Sequence, residues 1–314
     1  MIRMPGQSYR GPLPPLTDEE VAVRDRLARH VEALAGTIGR RHVWRPSALE
    51  QAGSYVEECL RGLELQVGTQ AFEAQGEMVR NIEAERRGLS LPEQIVLVGA
   101  HYDTVPETPG ADDNASGVAA LLEMARLLPP GQQARSVRFV AFVNEEPPFF
   151  RTGAMGSRVY ARRCRERGEN LVAVLVLESV GYYADTPGSQ SYPFPFSLLY
   201  PHTRDFAAFV GNVSSGGLVR RVVGAFRAHA ALPSEGGAIP GWIPGIGWSD
   251  HWAFWREGYP ALMVTDTAPF RNPHYHTAED TPETLDLDRM ARLVVGLAKA
   301  VAELSGPSEP GTAR

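Results

Sequence analysis

The chain has 314 residues, 43% apolar and 22% charged, proportions of a folded globular protein that exclude wholesale disorder and a fibrous repeat. A formal net charge of -6 and basic residues that are almost all arginine, with Lys299 the single lysine, argue against a nucleic-acid footprint and leave phosphate-loop or Schiff-base chemistry without its lysine. Two cysteines, Cys59 and Cys164, are too few for a disulfide framework or a thiolate metal site, and no apolar run approaches the roughly 20 residues of a membrane-spanning helix.

Residues 1–16 are rich in proline and glycine and read as a surface arm; they lack the apolar stretch of a secretion signal, so the expected location is the cytoplasm. Thr17 and Glu20 form a capping box for a first helix that repeats Val23, Leu27, Val31 and Leu34 and stops at Gly36. A second helix starts at Pro46 and carries Leu49, Ala52, Val56, Cys59 and Leu60 on one face. From Leu63 through Leu65 and Val67 the period falls to two, and strand-like sequence continues to Ile95-Val96-Leu97-Val98. Further apolar runs at 137–143, 171–177 and 261–264 predict strands buried on both faces. Helical patterns lie between and after them, at 118–128, near 153–167, near 215–229, and from Met290 to Leu304. The alternation predicts an α/β three-layer sandwich: a mixed, mainly parallel central sheet covered by helices on both faces, formed by one domain over 17–305, with a polar tail at 306–314.

A side chain able to bind metal follows each buried run: His101 after 95–98, Glu145 and Glu146 after 137–143, Glu178 after 171–177, and His276 in the loop beyond 261–264. In open α/β sheets that rim is where ligands bind. Gly110-Ala111-Asp112-Asp113-Asn114-Ala115-Ser116-Gly117 adds paired carboxylates just before a helix. Singly, each has an ordinary reading: a satisfied core histidine, a solvated acidic pair, an ion-pair partner or a helix cap. Glu178, however, closes a strongly apolar run, where an unpaired carboxylate carries a large desolvation cost and calls for a cation. Asp103, two residues from His101 in extended chain, projects to the same side, where it can accept the imidazole's other N–H. Two histidines with carboxylates and no cysteine suit zinc, with manganese or cobalt as substitutes.

These stretches, together with Ser249-Asp250-His251 and Tyr275-His276-Thr277, resemble the zinc exopeptidases that include bacterial leucyl aminopeptidases, glutamate carboxypeptidases and glutaminyl cyclases. The resemblance runs in the same order across roughly residues 95 to 285 and implies two zinc ions. It implies that Asp112 bridges them, that His101 and Glu178 complete one, and that Glu146 and His276 complete the other. It further implies Glu145 as general base, Asp103 as the residue orienting His101, and a cis peptide between Asp112 and Asp113. Two departures stand out: Glu178 replaces a common Asp, and Pro147-Pro148-Phe149-Phe150 follows the Glu pair.

The expected reaction is hydrolysis of an N-terminal peptide or amide bond: water on the metal loses its proton to Glu145, which returns it to the leaving amine. Trp242, Trp248, Trp252 and Trp255 cluster around Ser249-Asp250-His251, either as core or as a pocket for an apolar side chain, so Asp250, His251, Trp252, Tyr275 and Arg271 are expected near the substrate. Arg151 and Arg271 keep a carboxypeptidase or acyl-amino-acid hydrolase open, since either could meet a terminal carboxylate. A single-zinc cyclase is the remaining relative, and no Gly-x-Ser-x-Gly supports a serine hydrolase. The expected partner is a peptide or amino-acid amide, with no nucleic acid and no membrane; the oligomeric state is left open.

Overall fold

The computed structural model describes residues 3–306, so most of the expected tail lies outside the described residues. Eight strands form one sheet: β1 (Gln66–Ala74), β2 (Glu77–Arg86), β3 (Leu91–His101), β4 (Arg135–Phe142), β5 (Asn170–Glu178), β6 (Ala207–Gly211), β7 (Ser234–Ala238) and β8 (Ala261–Thr265), in spatial order β1-β2-β4-β3-β5-β8-β6-β7. The contiguous strands β4, β3, β5 and β8 run parallel; β1, β2 and β6 join by antiparallel pairing, and β7 runs parallel to β6.

The near-continuous apolar runs of the central strands divide by residue parity. Val96, Val98, Phe139, Ala141, Leu175 and Leu177 enter one core, while Ile95, Leu97, Val140, Phe142, Val174 and Val176 enter a second core on the opposite face. The first core is covered by α1 (Asp18–Val31), α2 (Pro46–Gly62), α3 (Gly117–Leu127), α5 (Gly216–His229) and α7 (Leu287–Ser305). The second is covered by α4 (Gly156–Glu166) and α6 (His251–Arg256). This is the expected three-layer α/β arrangement.

Several local rules of the sequence operate as written. Thr17 and Glu20 make the reciprocal capping box of α1, and Pro46 opens α2 at its first turn. Leu63, by contrast, caps α2, and strand β1 starts only at Gln66. The N-terminal segment is tied down by Arg220, Arg227 and Arg292, which donate to the carbonyls of Arg3, Pro5 and Pro14. Among the described residues no helix is long and apolar enough to cross a membrane.

Because β4, β3, β5 and β8 are parallel neighbours, their C-terminal ends share one rim. The chain leaves β4 and β5 through Asn144 (φ 59°) and Ser179 (φ 47°), non-glycine residues in the left-handed region beside Glu145 and Glu178. Such turns persist only where surrounding structure fixes them, and they cluster at functional sites.

Candidate metal centre

The rim brings together His101 from the end of β3, Glu146 after β4, Glu178 at the end of β5, His276 from the loop after β8, and one aspartate from the turn before α3. That aspartate is Asp113. Its Oδ1 lies 3.2 Å from His101 Nε2 and its Oδ2 lies 3.0 Å from His276 Nε2. Glu178 Oε2 is 3.3 Å from His101 Nε2, and Glu146 Oε2 is 3.3 Å from His276 Nε2. Two overlapping groups result, His101–Asp113–Glu178 and Asp113–Glu146–His276, each with ligand atoms within 4.8 Å of one another.

The expectation that Asp112 is the shared carboxylate is therefore corrected. Asp112 turns away: its Oδ1 accepts from the Gly181 N–H (2.9 Å) and its Oδ2 from Asn272 Nδ2 (2.8 Å). The backbone N–H groups of Asp112 and Asp113 both donate to the buried Asp280 carboxylate, at 2.8 and 3.1 Å, which fixes the direction of the turn. The cis peptide likewise falls one residue later than expected, between Asp113 and Asn114. Asn114 stitches this turn to β5, donating to the Leu177 carbonyl and accepting from the Gly117 and Ser179 N–H groups. Gly117 must lack a side chain, since a Cβ there would stand 2.7 Å from the Leu177 carbonyl oxygen. Arg41, fully buried, donates to the carbonyls of Tyr102, Pro109 and Gly110, joining the end of β3 to the same turn.

The electrostatics of this cluster are those of anions short of a cation. Burial and the charge of Asp113 push the Glu146 carboxyl up to about 7 against the pull of His276. Burial alone would lower the histidines, but Asp113 and Glu146 overcome it and raise His276 to about 10, and Glu178 with Asp103 and Asp113 holds His101 above its ordinary range. Protonated imidazoles are thus the available counter-charge, and a bound metal would displace those protons. The fit to such an ion is direct: His101 Nε2, Asp113 Oδ1, Glu146 Oε1 and His276 Nε2 are buried without a hydrogen-bond partner among the described residues. Their atoms approach one another closely yet do not align as hydrogen bonds, so they converge on shared points. Imidazole and carboxylate donors in this number suit zinc.

Glu145 belongs to neither group. Its carboxyl is held well above the usual range, first by burial and then by the charges of Glu178 and Glu146. Asp103 supports the site from behind: its two oxygens accept the Glu145 and Glu146 N–H groups at 3.1 and 3.2 Å, and Oδ1 lies 3.5 Å from His101 Nδ1. Ser249 donates to Glu178 Oε2 at 2.6 Å.

The residues expected near the substrate separate. Tyr275 lines the pocket beside Glu178 and stacks on His276, and Trp248 also lines it. Asp250 is buried with both oxygens unpartnered, His251 is buried and bonded to the Ile246 carbonyl, and Trp252 packs against the second core beneath Arg151 and Arg158. Arg271 is buried away from the pocket, its Nε on Gln190 and its Nη1 on the Phe206 carbonyl. None of Arg271, His251 and Trp252 lines the pocket, although Arg271 Nη2 and His251 Nδ1 are buried without a hydrogen-bond partner among the described residues. Asn272 and Asp280 were not legible as site residues; a lone buried acid or amide within a polar loop carries no periodic signal.

Residues 81–301 match the Peptidase family M28. The chain belongs to this family. It is accordingly a metallopeptidase of the aminopeptidase type. It is 39% identical over 282 residues to the uncharacterized protein YfbL of Escherichia coli K12, covering 87% of this chain and 86% of that protein. It is 26% identical over 306 residues to a probable leucine aminopeptidase of Arthroderma otae, covering 90% of this chain and 73% of that protein. Among solved structures, the zinc aminopeptidase BSAP of Bacillus subtilis superposes with a TM-score of 0.71 at 17% identity, covering 92% of this chain and 96% of that one. Glutaminyl cyclases share the fold as well, so the fold by itself does not select the reaction.

Proposed function

We propose that this M28 protein is a zinc exopeptidase, an aminopeptidase that hydrolyses N-terminal peptide or amide bonds at a two-zinc site. His101, Asp113 and Glu178 would hold one ion, and Asp113, Glu146 and His276 the other. The observation that carries this reading is the placement of the two Asp113 oxygens against two different histidines, each joined by its own glutamate. When bound, zinc would lower the pKa of water toward roughly 7 and polarise the scissile carbonyl.

The chain's own residues supply the remainder. Glu145, buried and outside both ligand groups, accepts a proton from the attacking water and delivers it to the leaving amine. Burial raises the proton affinity of this carboxyl, which favours its taking a proton from the water. Asp103 positions Glu145 and Glu146 through their backbone N–H groups, and its backbone carbonyl, 3.2 Å from His101 Nδ1, orients that imidazole with the carboxylate 3.5 Å away. A carboxypeptidase would need a cation in the pocket for the terminal carboxylate; neither Arg271, whose Nε and Nη1 are bonded to Gln190 and the Phe206 carbonyl, nor Arg151, which donates to the Gly247 carbonyl and stacks on Trp252, lines it.

The test combines metal analysis with substrate direction. Zinc-loaded protein should carry two equivalents and cleave aminoacyl anilides, and blocking the substrate's amine should abolish turnover. Saturation at one equivalent would favour the cyclase reading, and turnover confined to N-acyl amino acids would move the assignment to the carboxypeptidase side.

A further inference from the structure

One row of paired residues crosses half the sheet. Glu178 on β5 pairs with Thr265 on β8, Thr265 with Ala208 on β6, and Ala208 with Glu235 on β7. Residues paired across strands point to the same face, so two carboxylates stand at the ends of a floor made of a threonine and an alanine. Three strand spacings separate them, roughly 14 Å between backbones. All four residues line one cavity of about 120 Å³ that opens from the metal centre. Its walls are aromatic: Tyr192, Phe196, Tyr200, Trp248 and Phe270.

Within this apolar chamber Glu235 is the only charged residue of the lining apart from Glu178. It is half-buried, and among the described residues its charge neighbours act through space, with no hydrogen bond or ion pair to its side chain. Burial raises its carboxyl above the ordinary range, and Arg227 and Arg10 oppose that shift only through charge at a distance, without bonding to it. Arg227 spends its guanidinium on Ser234 and on the Pro5 carbonyl. The Tyr200 phenol, itself donating to the Gly236 carbonyl, is pushed up to about 12 by burial and by Glu235, which places the carboxylate beside the aromatic wall.

We propose that Glu235 is a specificity residue of this pocket, receiving the cationic tip of a lysine or arginine at the N-terminus of the substrate. This rests on the aminopeptidase reading, in which the scissile carbonyl sits at the Glu178 end. A four-carbon stem of bonds near 1.5 Å then spans about half of the floor, the Glu235 side chain reaches back across the remainder, and the aromatic faces attract the passing cation. An aliphatic substrate residue would fill the same walls and leave the far carboxylate without a partner.

The discriminating pair is lysine and norleucine, which share the stem and differ in the terminal ammonium. For zinc-loaded protein, the ratio of kcat/KM for the lysyl anilide to that for the norleucyl anilide should exceed about tenfold, the effect of one charge-assisted hydrogen bond. Glu235→Gln should lower that ratio at least tenfold. Calorimetric binding of free L-lysine against free L-norleucine should show the same preference and the same loss. A ratio at or below one, or a ratio that Glu235→Gln leaves unchanged, overturns the proposal. If neither anilide is turned over, the aminopeptidase reading fails by itself. Calorimetry then decides the pocket: lysine preference lost in Glu235→Gln supports the assignment, and equal binding of the two amino acids overturns it.

Discussion

Helix α3 touches two buried clusters of charge, and they are balanced in opposite ways. In its middle, Glu123 is almost fully buried, and the chain answers it: Oε2 accepts from Arg26 Nε at 2.9 Å and from Arg126 at 2.8 and 2.9 Å, while His30 stands 3.7 Å from Oε1. At its N-terminal end, Asp113, Glu145, Glu146 and Glu178 face two imidazoles, and buried atoms remain without partners. A protein that can pair one acid with two arginines has the means to pair others. Where it leaves carboxylates converging instead, the missing charge is expected from outside the chain.

The sharpest way to test the second cluster is to separate its two adjacent glutamates. Glu145→Gln keeps the size of the side chain and should leave zinc content intact, while kcat falls by about a hundred- to ten-thousandfold with a smaller effect on KM. Glu146→Gln removes an anionic donor and should instead lower zinc content, read by elemental analysis after dialysis. Should Glu145→Gln lose metal as readily as Glu146→Gln, the two acids do not have different work and the contrast collapses.

The Glu123 cluster predicts a different kind of failure. Glu123→Gln strands two arginines around a neutral amide and should destabilise the fold by about 2 to 3 kcal/mol, below the full cost of breaking a buried pair because both arginines are nearly a third exposed. Zinc content and kcat should not change. Its pH signature follows from the direction of the shift: burial opposes ionisation, but His30, Arg126 and Arg26 hold the Glu123 carboxyl down to about 2. The stabilisation is therefore complete above the unfolded carboxyl's value of roughly 4.3 and fades as pH drops from there toward 2. Denaturant midpoints of wild type and Glu123→Gln should converge across that interval; parallel curves would show that the cluster is not held by ionisation.

The contrast also separates what was legible in the sequence from what was not. The central strands were legible because runs such as Leu171 to Leu177 are buried on both faces, and the rim positions were legible because each follows such a run. Strand β7, Ser-Glu-Gly-Gly-Ala, carries no β-branched residue and exists through its pairing with β6, a long-range contact invisible to local pattern. Glu235 was hidden with it. The choice between Asp112 and Asp113 was illegible for a related reason: both are buried acids in one turn, and what aims them is Asp280, more than 160 residues away. The four tryptophans were equally undecided from sequence. They divide between the pocket wall (Trp248), the second core (Trp252 and Trp255) and the surface (Trp242).

The smallest predicted effect concerns that turn, and it sets the register of the whole centre. Asp112 accepts hydrogen bonds from the Gly181 N–H and from Asn272, so its carboxylate holds the end of β5 and the loop after β8 to the turn. Asp112→Asn keeps one acceptor and replaces the other with a donor facing a donor. That mismatch should cost about 1 to 2 kcal/mol of stability, visible as a lower denaturant midpoint, while zinc still binds. Asp113→Asn is isosteric at the next position but withdraws the charge that two histidines share, and should release metal from both positions. The two substitutions make the same chemical change in neighbouring residues, so general damage to the turn would affect them alike. If Asp112→Asn empties the site and Asp113→Asn does not, the shared carboxylate is Asp112 after all, and the orientation imposed by Asp280 is not the one that operates when metal is bound.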